Sequence, residues 1–267
     1  MDRITETFTL LKTADRKALI PYIMAGDPDL KTTAILVQEL DRCGANIVEL
    51  GVPFSDPIAD GPTIQRAAQR ALSQGTSLRD IIDTVGLIRK NSNIPLILMT
   101  YYNPVLAYGI EDFCRDATCM GIDGLIIPDL PPEEGIQLRD GCQKHGLSII
   151  FLVAPTSTST RIDLVNRYTT GFVYCVSVTG VTGARGQLAE DVNEFMTRVR
   201  SLTNRPLGLG FGISSPEQAY KASQLADGVI VGSAIVNVME EHTGKADMPR
   251  FVGDYVASLR AGIDGKF

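Results

Sequence analysis

The chain has 267 residues, of which 44% are hydrophobic and 21% charged, which suits one α/β barrel with a sizeable core. Its net charge of −6 argues against the cationic surface that nucleic-acid-binding and membrane-surface proteins need. Five scattered cysteines and only two histidines argue against a disulfide framework, a zinc site and a Ser-His-Asp triad. Metal-free acid–base chemistry by carboxylates is therefore the simplest enzymatic interpretation.

The segment Met1–Lys12 carries Asp2 and Glu6 and lacks the apolar centre of a signal peptide. No apolar run approaches the length that a membrane span needs. We therefore expect a protein of the cell interior with reduced cysteines, located in the cytoplasm, or in the plastid stroma if the source is a plant.

Short apolar runs alternate with helical segments along the chain, and eight such units can be drawn. Several runs are apolar on both faces, as is typical of parallel strands covered by helices. The pattern predicts an α/β protein, a (β/α)8 TIM barrel that forms a single domain over residues 1–267. The predicted strands are Leu19–Met24, Ile47–Gly51, Leu96–Thr100, Gly124–Ile127, Ser148–Val153, Phe172–Val176, Leu207–Phe211 and Gly228–Gly232.

Two predicted helices exceed the eight-fold scheme. Ile4–Leu11 precedes the first strand and Phe251–Leu259 follows the last helix, so we expect them to plug the amino-terminal mouth of the barrel or cover its flank. The longest segments without regular structure are Val52–Pro62 and Ser177–Gln187, and both follow predicted strands. Because the loops after the strands build the active face of such barrels, functional residues are expected in both.

Glu49 is the one charged residue in an otherwise apolar strand, with Ile47, Val48 and Leu50 as neighbours. A buried charge is costly, so the position needs an explanation. One is a glutamate satisfied by backbone donors or hidden at a barrel end. The other is catalysis, which its place near the carboxyl end of a barrel strand favours. Burial raises the pKa of a carboxyl group and would make Glu49 a proton shuttle near neutral pH.

The loop after Glu49 contains two acids, Asp56 and Asp60, and three prolines, which stiffen it. Asp56 precedes a proline, which is common in turns. Asp60 is either part of a turn into the helix that begins near Thr63 or a second functional acid.

Glycine-bearing turns follow the last three predicted strands, and the last two open onto helices. Backbone amides at such helix starts bind phosphate without needing a lysine, which fits an acidic protein with an anionic substrate. Each turn alone is as well explained by barrel geometry, whereas the three together match the usual phosphate site of the fold. The turns are Thr179–Gly183, Gly210–Ser214 and Gly232–Ser233.

The motif around the two acids resembles the signature of the tryptophan synthase alpha subunit family. It reads ELGVPFSDP over residues 49–57 and continues as DGPTIQ over residues 60–65. The three glycine turns, Gly26-Asp27-Pro28 and Pro128–Pro131 are similar to the same family, so the resemblance runs from Pro21 to about Val236.

The resemblance implies a carbon–carbon lyase that cleaves indole-3-glycerol phosphate to indole and glyceraldehyde 3-phosphate without metal or cofactor in this chain. It implies that Glu49 exchanges protons with the glycerol hydroxyl and the indole carbon, and that Asp60 holds or deprotonates the indole N–H. Thr182 would bond Asp60 when its loop closes over the substrate. The indole would meet Tyr22, Met99, Ile126 and Tyr174, and the phosphate would meet Gly183, Gly212, Gly232 and Ser233.

The resemblance also implies a partner, a beta subunit that carries pyridoxal phosphate and receives the indole in an alpha2-beta2 heterotetramer. The loops around Asp56 and Gly180 would lie near that interface. A free-standing lyase and another phosphate-binding barrel, such as a sugar-phosphate isomerase, are the alternatives. Val178 stands where the family often has arginine, and Tyr22 where phenylalanine is frequent.

Overall fold

The molecule is built on a parallel sheet, seen in a computed structural model that describes residues 2–176, 185–210 and 212–267. Thr182, Gly183, Val178 and most of the predicted Ser177–Gln187 loop lie outside the described residues. The strands are β1 (Ala18–Met24), β2 (Val48–Gly51), β3 (Leu96–Met99), β4 (Gly124–Ile126), β5 (Ser148–Ile150), β6 (Leu152–Val153), β7 (Val173–Val176), β8 (Leu207–Gly210) and β9 (Gly228–Val231).

The strands lie in the order β5-β4-β3-β2-β1-β9-β8-β7-β6, and each neighbouring pair is parallel. The two ends of this sheet, β5 and β6, follow each other in the chain and are separated only by Phe151. They are one barrel strand broken in two, because the Phe151 N–H bonds the Thr169 hydroxyl at 3.1 Å instead of a neighbouring strand. The predicted TIM barrel is confirmed, with its fifth strand, Ser148–Val153, split at this point.

Helices follow the strands and cover the outside of the sheet. The helix that runs from Leu30 to Arg42 shows how their ends are fixed. Asp29 caps its start by accepting a hydrogen bond from the Thr32 N–H at 2.7 Å, and Gly44, with φ +96°, follows its end. The helices are α1 (Arg3–Thr13), α2 (Leu30–Arg42), α3 (Pro62–Ser73), α4 (Leu78–Ile88), α5 (Tyr102–Tyr108), α6 (Ile110–Met120), α7 (Ile136–His145), α8 (Ser159–Tyr168), α9 (Arg185–Leu202), α10 (Pro216–Ser223), α11 (Ser233–Glu241) and α12 (Met248–Ile263).

Side-chain alternation along the strands separates two apolar layers. In β2, Val48 and Leu50 point outward into the layer between sheet and helices. Ile47, just before β2, points into the barrel and packs with interior residues such as Ile97 and Ile150. Glu49 therefore points into the barrel too, because it lies two residues after Ile47.

Helix α1 closes the amino-terminal end of the barrel, as one of the two sequence expectations had it. Ile4 and Phe8 are buried in the interior layer, and the Phe8 ring lies 5.5 Å from that of Phe172. Arg3 pairs with Asp123 at 2.7 Å, just before β4. The other added helix, α12, covers the flank against α2 and α10. The barrel is therefore open for ligands at its carboxyl end.

Candidate active site

A cavity of about 460 Å³ lies at the carboxyl ends of the strands, where this fold places its active sites. Its wall is formed by β1, β3, β6, β7, β8 and β9, the loop after β2, and the starts of α3 and α11. Seven of the sequence-predicted site residues line it: Tyr22, Asp60, Met99, Tyr174, Gly212, Gly232 and Ser233.

Two predicted residues do not reach the cavity wall. Glu49 and Ile126 are both fully buried, and neither contributes to the lining. Ile126 pairs with Met99 in the sheet and packs in the interior layer. Met99, the neighbour of Ile126 across the sheet, is the one of this pair that faces the cavity.

Glu49 lies inside the barrel, fixed on both sides by the sheet register. It pairs with Tyr22 on β1 and with Ile97 on β3. Both of its carboxylate oxygens are buried and find no hydrogen-bond partner among the described residues. Burial disfavours the charged form, and it raises the pKa of Glu49 to about 8.

The backbone-satisfied alternative for Glu49 is not supported, since the described residues offer it no donor. Such a carboxyl group is mostly protonated at neutral pH and ready to give up a proton near pH 8. Burial raises the pKa values of Tyr22 and Tyr174, which line the cavity, and the carboxylates of Asp60 and Glu49 raise that of Tyr22 further, as Glu49 does that of Tyr174. Both therefore stay protonated and polar beside it.

Asp60 is half-buried at the other side of the cavity, on the loop between β2 and α3. The Ala59 N–H donates to the Tyr101 hydroxyl at 2.9 Å, and Phe54 packs on the same ring at 5.1 Å between centroids. Gln65 donates to the Asp60 carbonyl at 2.8 Å. Two of these contacts tie the loop to Tyr101, just after β3, and the third ties it to α3. Burial raises the pKa of Asp60, and hydrogen bonding from Tyr101 opposes that rise.

Two glycine turns, which the sequence predicts to bind phosphate, form one end of the cavity. Helix α11 begins at Ser233 after Gly232, and no side chain in the described part of the chain caps its first amides. Gly212, with φ +30°, meets no atom of the described residues within 4 Å where a side chain would project, so a ligand can approach its backbone. The start of α10 differs, because Ser215 accepts from the Gln218 N–H at 3.3 Å and caps that helix. Of these two helices, α11 is the one with amides available to an anion.

Sequence reasoning missed several residues at this site. Tyr101 holds the Asp60 loop, Ile64 on α3 walls the apolar end, and Asn237 on α11 stands near the glycine turns. Tyr101 had a usable signal, because it directly follows a predicted strand and so had to lie at the active edge. Ile64 and Asn237 depend on how two helices pack, which the sequence pattern does not report.

The site combines an apolar wall, two carboxyl groups in different settings and an amide-rich turn for an anion. In the residues that the structure describes, no group of three or more His, Cys, Asp or Glu side chains is arranged to hold a metal ion. None of the described helices is both long and apolar enough to cross a membrane. The arrangement suits proton transfer on a substrate with one flat apolar end and one phosphate end.

Comparison with known proteins identifies the family. The model of the tryptophan synthase alpha chain family matches residues 8–254. A tryptophan synthase alpha chain from Geobacter sp. (strain M21) is 49% identical over 263 residues, which is 98% of each chain. The crystal structure of tryptophan synthase subunit alpha from Legionella pneumophila str. Paris superposes with a TM-score of 0.93 at 39% identity, covering 99% of each chain.

A tryptophan synthase chain from M. tuberculosis, crystallised in an open form, gives a TM-score of 0.89 at 37% identity, covering 98% of this chain and 99% of that one. The likeness therefore extends over the whole barrel in sequence and in structure. The chain belongs to the tryptophan synthase alpha chain family, and it is a carbon–carbon lyase that cleaves indole-3-glycerol phosphate.

Proposed function

We propose that Glu49 and Asp60 carry out the family's reaction in this chain, the retro-aldol cleavage of indole-3-glycerol phosphate to indole and glyceraldehyde 3-phosphate. The observation that carries the proposal is the setting of Glu49. It is a fully buried carboxyl group without a partner among the described residues, beside tyrosines that line the cavity, and its pKa is about 8. A structural glutamate would be paired.

The chemical steps follow from the two carboxyl groups. Glu49 starts protonated behind the cavity wall, and its side chain turns towards the substrate and gives its proton to the indole carbon that bears the glycerol chain. The ring nitrogen then carries positive charge, which the Asp60 carboxylate stabilises through the N–H. The Glu49 carboxylate takes the proton of the glycerol hydroxyl, the carbon–carbon bond breaks, and its electron pair returns to the ring. Indole and the aldehyde form, and Glu49 ends protonated.

The remaining cavity residues are proposed to bind the two ends of the substrate. Tyr22, Met99 and Tyr174 contact the indole, with Ile126 supporting this wall from beneath. The phosphate binds at Gly212, Gly232 and Ser233, where α11 offers free amides. Thr182 and Gly183, outside the described residues, are assigned to Asp60 and to the phosphate by the family resemblance.

Chains of this family act with a beta subunit, which carries the pyridoxal phosphate and receives the indole for tryptophan synthesis. We propose an alpha2-beta2 heterotetramer here, with the exposed Asp56 loop at the interface. We also propose that the chain is a single-domain barrel located in the cytoplasm, as expected for a relative of bacterial enzymes.

The test is cleavage of indole-3-glycerol phosphate by the purified full chain, with and without a beta subunit. Wild type is expected to form indole, and Glu49→Gln is expected to lose turnover by at least the roughly 10²-fold typical of a positioned acid–base group. Glu241→Gln, an exposed change of the same kind, serves as control. Full activity of Glu49→Gln would overturn the assignment of Glu49. Undiminished turnover without any beta subunit would instead favour a free-standing lyase.

A further inference from the structure

A group of four charged residues connects the two functional ends of the cavity from outside it. Arg66 and Arg70 lie on α3, whose preceding residues are Asp60 and Gly61. Glu240 lies in the last turn of α11, whose first residue is Ser233. Asp27 follows β1. None of the four lines the cavity.

The contacts within this group are paired and directional. Arg70 donates two hydrogen bonds to the Asp27 carboxylate, both at 2.8 Å, and a third to Glu240 at 2.8 Å. Arg66 donates two to Glu240, at 2.9 and 2.7 Å. Two-pronged guanidinium–carboxylate pairs fix relative orientation as well as distance. The group therefore constrains three segments at once, α3, α11 and the end of β1.

Burial within the group is uneven. Asp27 is 1% exposed, whereas Arg66 is 49% exposed and Glu240 is 33% exposed in their side chains. Half-exposed ion pairs contribute little to stability, so the Arg66–Glu240 pair is poorly explained as a stabilising contact. The hydrogen bonds from Arg66 nevertheless hold the pKa of Glu240 at about 2, so this carboxylate stays charged at physiological pH.

The apolar contacts between α3 and α11 fix the relative position of the two helices less specifically than the ion pairs do. The face of α3 that meets β1 and α11 is formed largely by small side chains, Ala67, Ala68 and Ala71, against Val236 of α11. Alanine side chains project little from a helix, so these contacts fix the position of α3 along α11 less sharply than large interlocking side chains would. The arginine–glutamate pairs are the specific contacts that set one position.

Resting on the proposed function, we propose that Asp27, Arg66, Arg70 and Glu240 form a positioning network that holds Asp60 at its working distance from the phosphate-binding start of α11. The two ends are joined through two short helices. Asp60 lies two residues before the first residue of α3, and Ser233 lies seven residues, about two helical turns, before Glu240 on α11. A shift of α3 against α11 therefore changes the distance between the group that meets the indole N–H and the group that meets the phosphate.

The test compares Glu240→Gln with Glu241→Gln in the full chain together with its beta subunit, following glyceraldehyde 3-phosphate formation. Both changes remove one negative charge at the end of α11, but Glu241 is exposed and forms no ion pair with any residue that the structure describes. Glu240→Gln is expected to lower kcat/KM about 10- to 100-fold, because misplacement by an ångström costs up to about that much. Glu241→Gln is expected to stay within about twofold of wild type.

A double-mutant cycle separates positioning from a structural role. If the network acts through Asp60, the effect of Glu240→Gln on kcat should shrink to about twofold in an Asp60→Asn background, while its effect on KM persists. A structural contact would instead lower the melting temperature and leave the kcat and KM of the folded enzyme unchanged. Arg66→Gln, at a half-exposed position, repeats the test from the other side of the pair if Glu240→Gln does not fold.

Wild-type kcat and KM in Glu240→Gln and Arg66→Gln would overturn the inference, as would an equal loss of kcat with and without the Asp60 carboxylate. These outcomes differ from a failure of the proposed function. In that case wild type itself would form no glyceraldehyde 3-phosphate, or Asp60→Asn would be fully active.

Discussion

Replacing Glu49 by glutamine is expected to stabilise the protein, and to do so more strongly as the pH rises. Burial raises the pKa of this carboxyl from an ordinary value of 4.5 to about 8, so the folded protein binds the proton more tightly than the unfolded chain. Between these two pH values the unfolded chain has lost the proton and the folded protein has kept it. The free energy of unfolding therefore falls with rising pH, by about 1.4 kcal/mol per pH unit.

The size of the effect follows from the same two pKa values. Because the unfolded chain loses the Glu49 proton at lower pH than the folded protein, the free energy of unfolding is reduced. The reduction is under ~1 kcal/mol at pH 5, ~3 kcal/mol at pH 7 and ~5 kcal/mol well above pH 8. Glutamine has no proton to lose, so the variant escapes this cost. At ~2–4 °C per kcal/mol for a protein of this size, the melting temperature should rise by ~6–12 °C at pH 7.

Urea unfolding of wild type and Glu49→Gln at pH 5, 7 and 8.5 measures the difference directly. Every other titrating group is common to both proteins, so the change of their difference with pH reports Glu49. Glu241→Gln, at an exposed position, should show no such trend. A difference between wild type and Glu49→Gln that stays constant from pH 5 to 8.5 would refute the raised pKa of Glu49 and with it the starting protonation proposed for the reaction.

Four further results are expected at the same site. The kcat/KM for indole-3-glycerol phosphate should fall above about pH 8, where Glu49 loses its proton, and on the acid side as Asp60 gains one; a profile that stays flat to pH 10 would contradict this. Asp60→Asn should lower kcat by roughly 10²–10⁴-fold in indole release, and a loss below about tenfold would count against a charge-stabilising role. Gly51→Ala should raise KM at least about tenfold, because the new carbon would lie 2.0 Å from the Tyr22 hydroxyl and push the ring into the cavity; an unchanged KM would show that the ring finds room elsewhere. Tyr101→Phe removes the hydrogen bond from the Ala59 N–H, worth about 1 kcal/mol, and also the hydrogen bond from Tyr101 to Asp60, so kcat should fall at least about fivefold, whereas wild-type kcat would mean that neither bond is needed to position Asp60.

The barrel was readable from the sequence because its signals are local. Each predicted strand boundary that falls on a described residue differs from the observed one by at most one residue, apart from the break at Phe151, and the predicted end at Phe211 lies outside the described residues. That break depends on a side chain outside the strand, because the Thr169 hydroxyl accepts the hydrogen bond from the Phe151 N–H. The apolar pattern of the strand therefore does not predict it. The plug formed by Ile4 and Phe8 was predicted only as one of two options, since amphipathic helices at both ends of the chain look alike.

The candidate site was readable in part, for a different reason. The charge of Glu49 and the glycine turns stand out against their own strands and loops. How deeply these residues are buried cannot be predicted from the sequence. Whether Glu49 lies on the cavity wall or behind it depends on how Tyr22 and Tyr174 fill the end of the barrel. The network of Asp27 and Arg70 was also missed, because its members are 43 residues apart and meet only when α3 packs on β1.

The settings of the two acids explain why one is suited to carry protons and the other to carry charge. Glu49 is held in the middle of three paired strands, where neither the backbone nor the side chains of the described residues offer it a donor. A carboxyl group in that position favours its neutral form and can give and take a proton near pH 8. Asp60 is half-buried on a loop, and hydrogen bonding from Tyr101 favours its charged form against the effect of burial. Exchanging the two settings would leave the indole nitrogen facing a neutral acid and the indole carbon facing a carboxylate with no proton to give, so the position of each acid in the barrel matters as much as its chemistry.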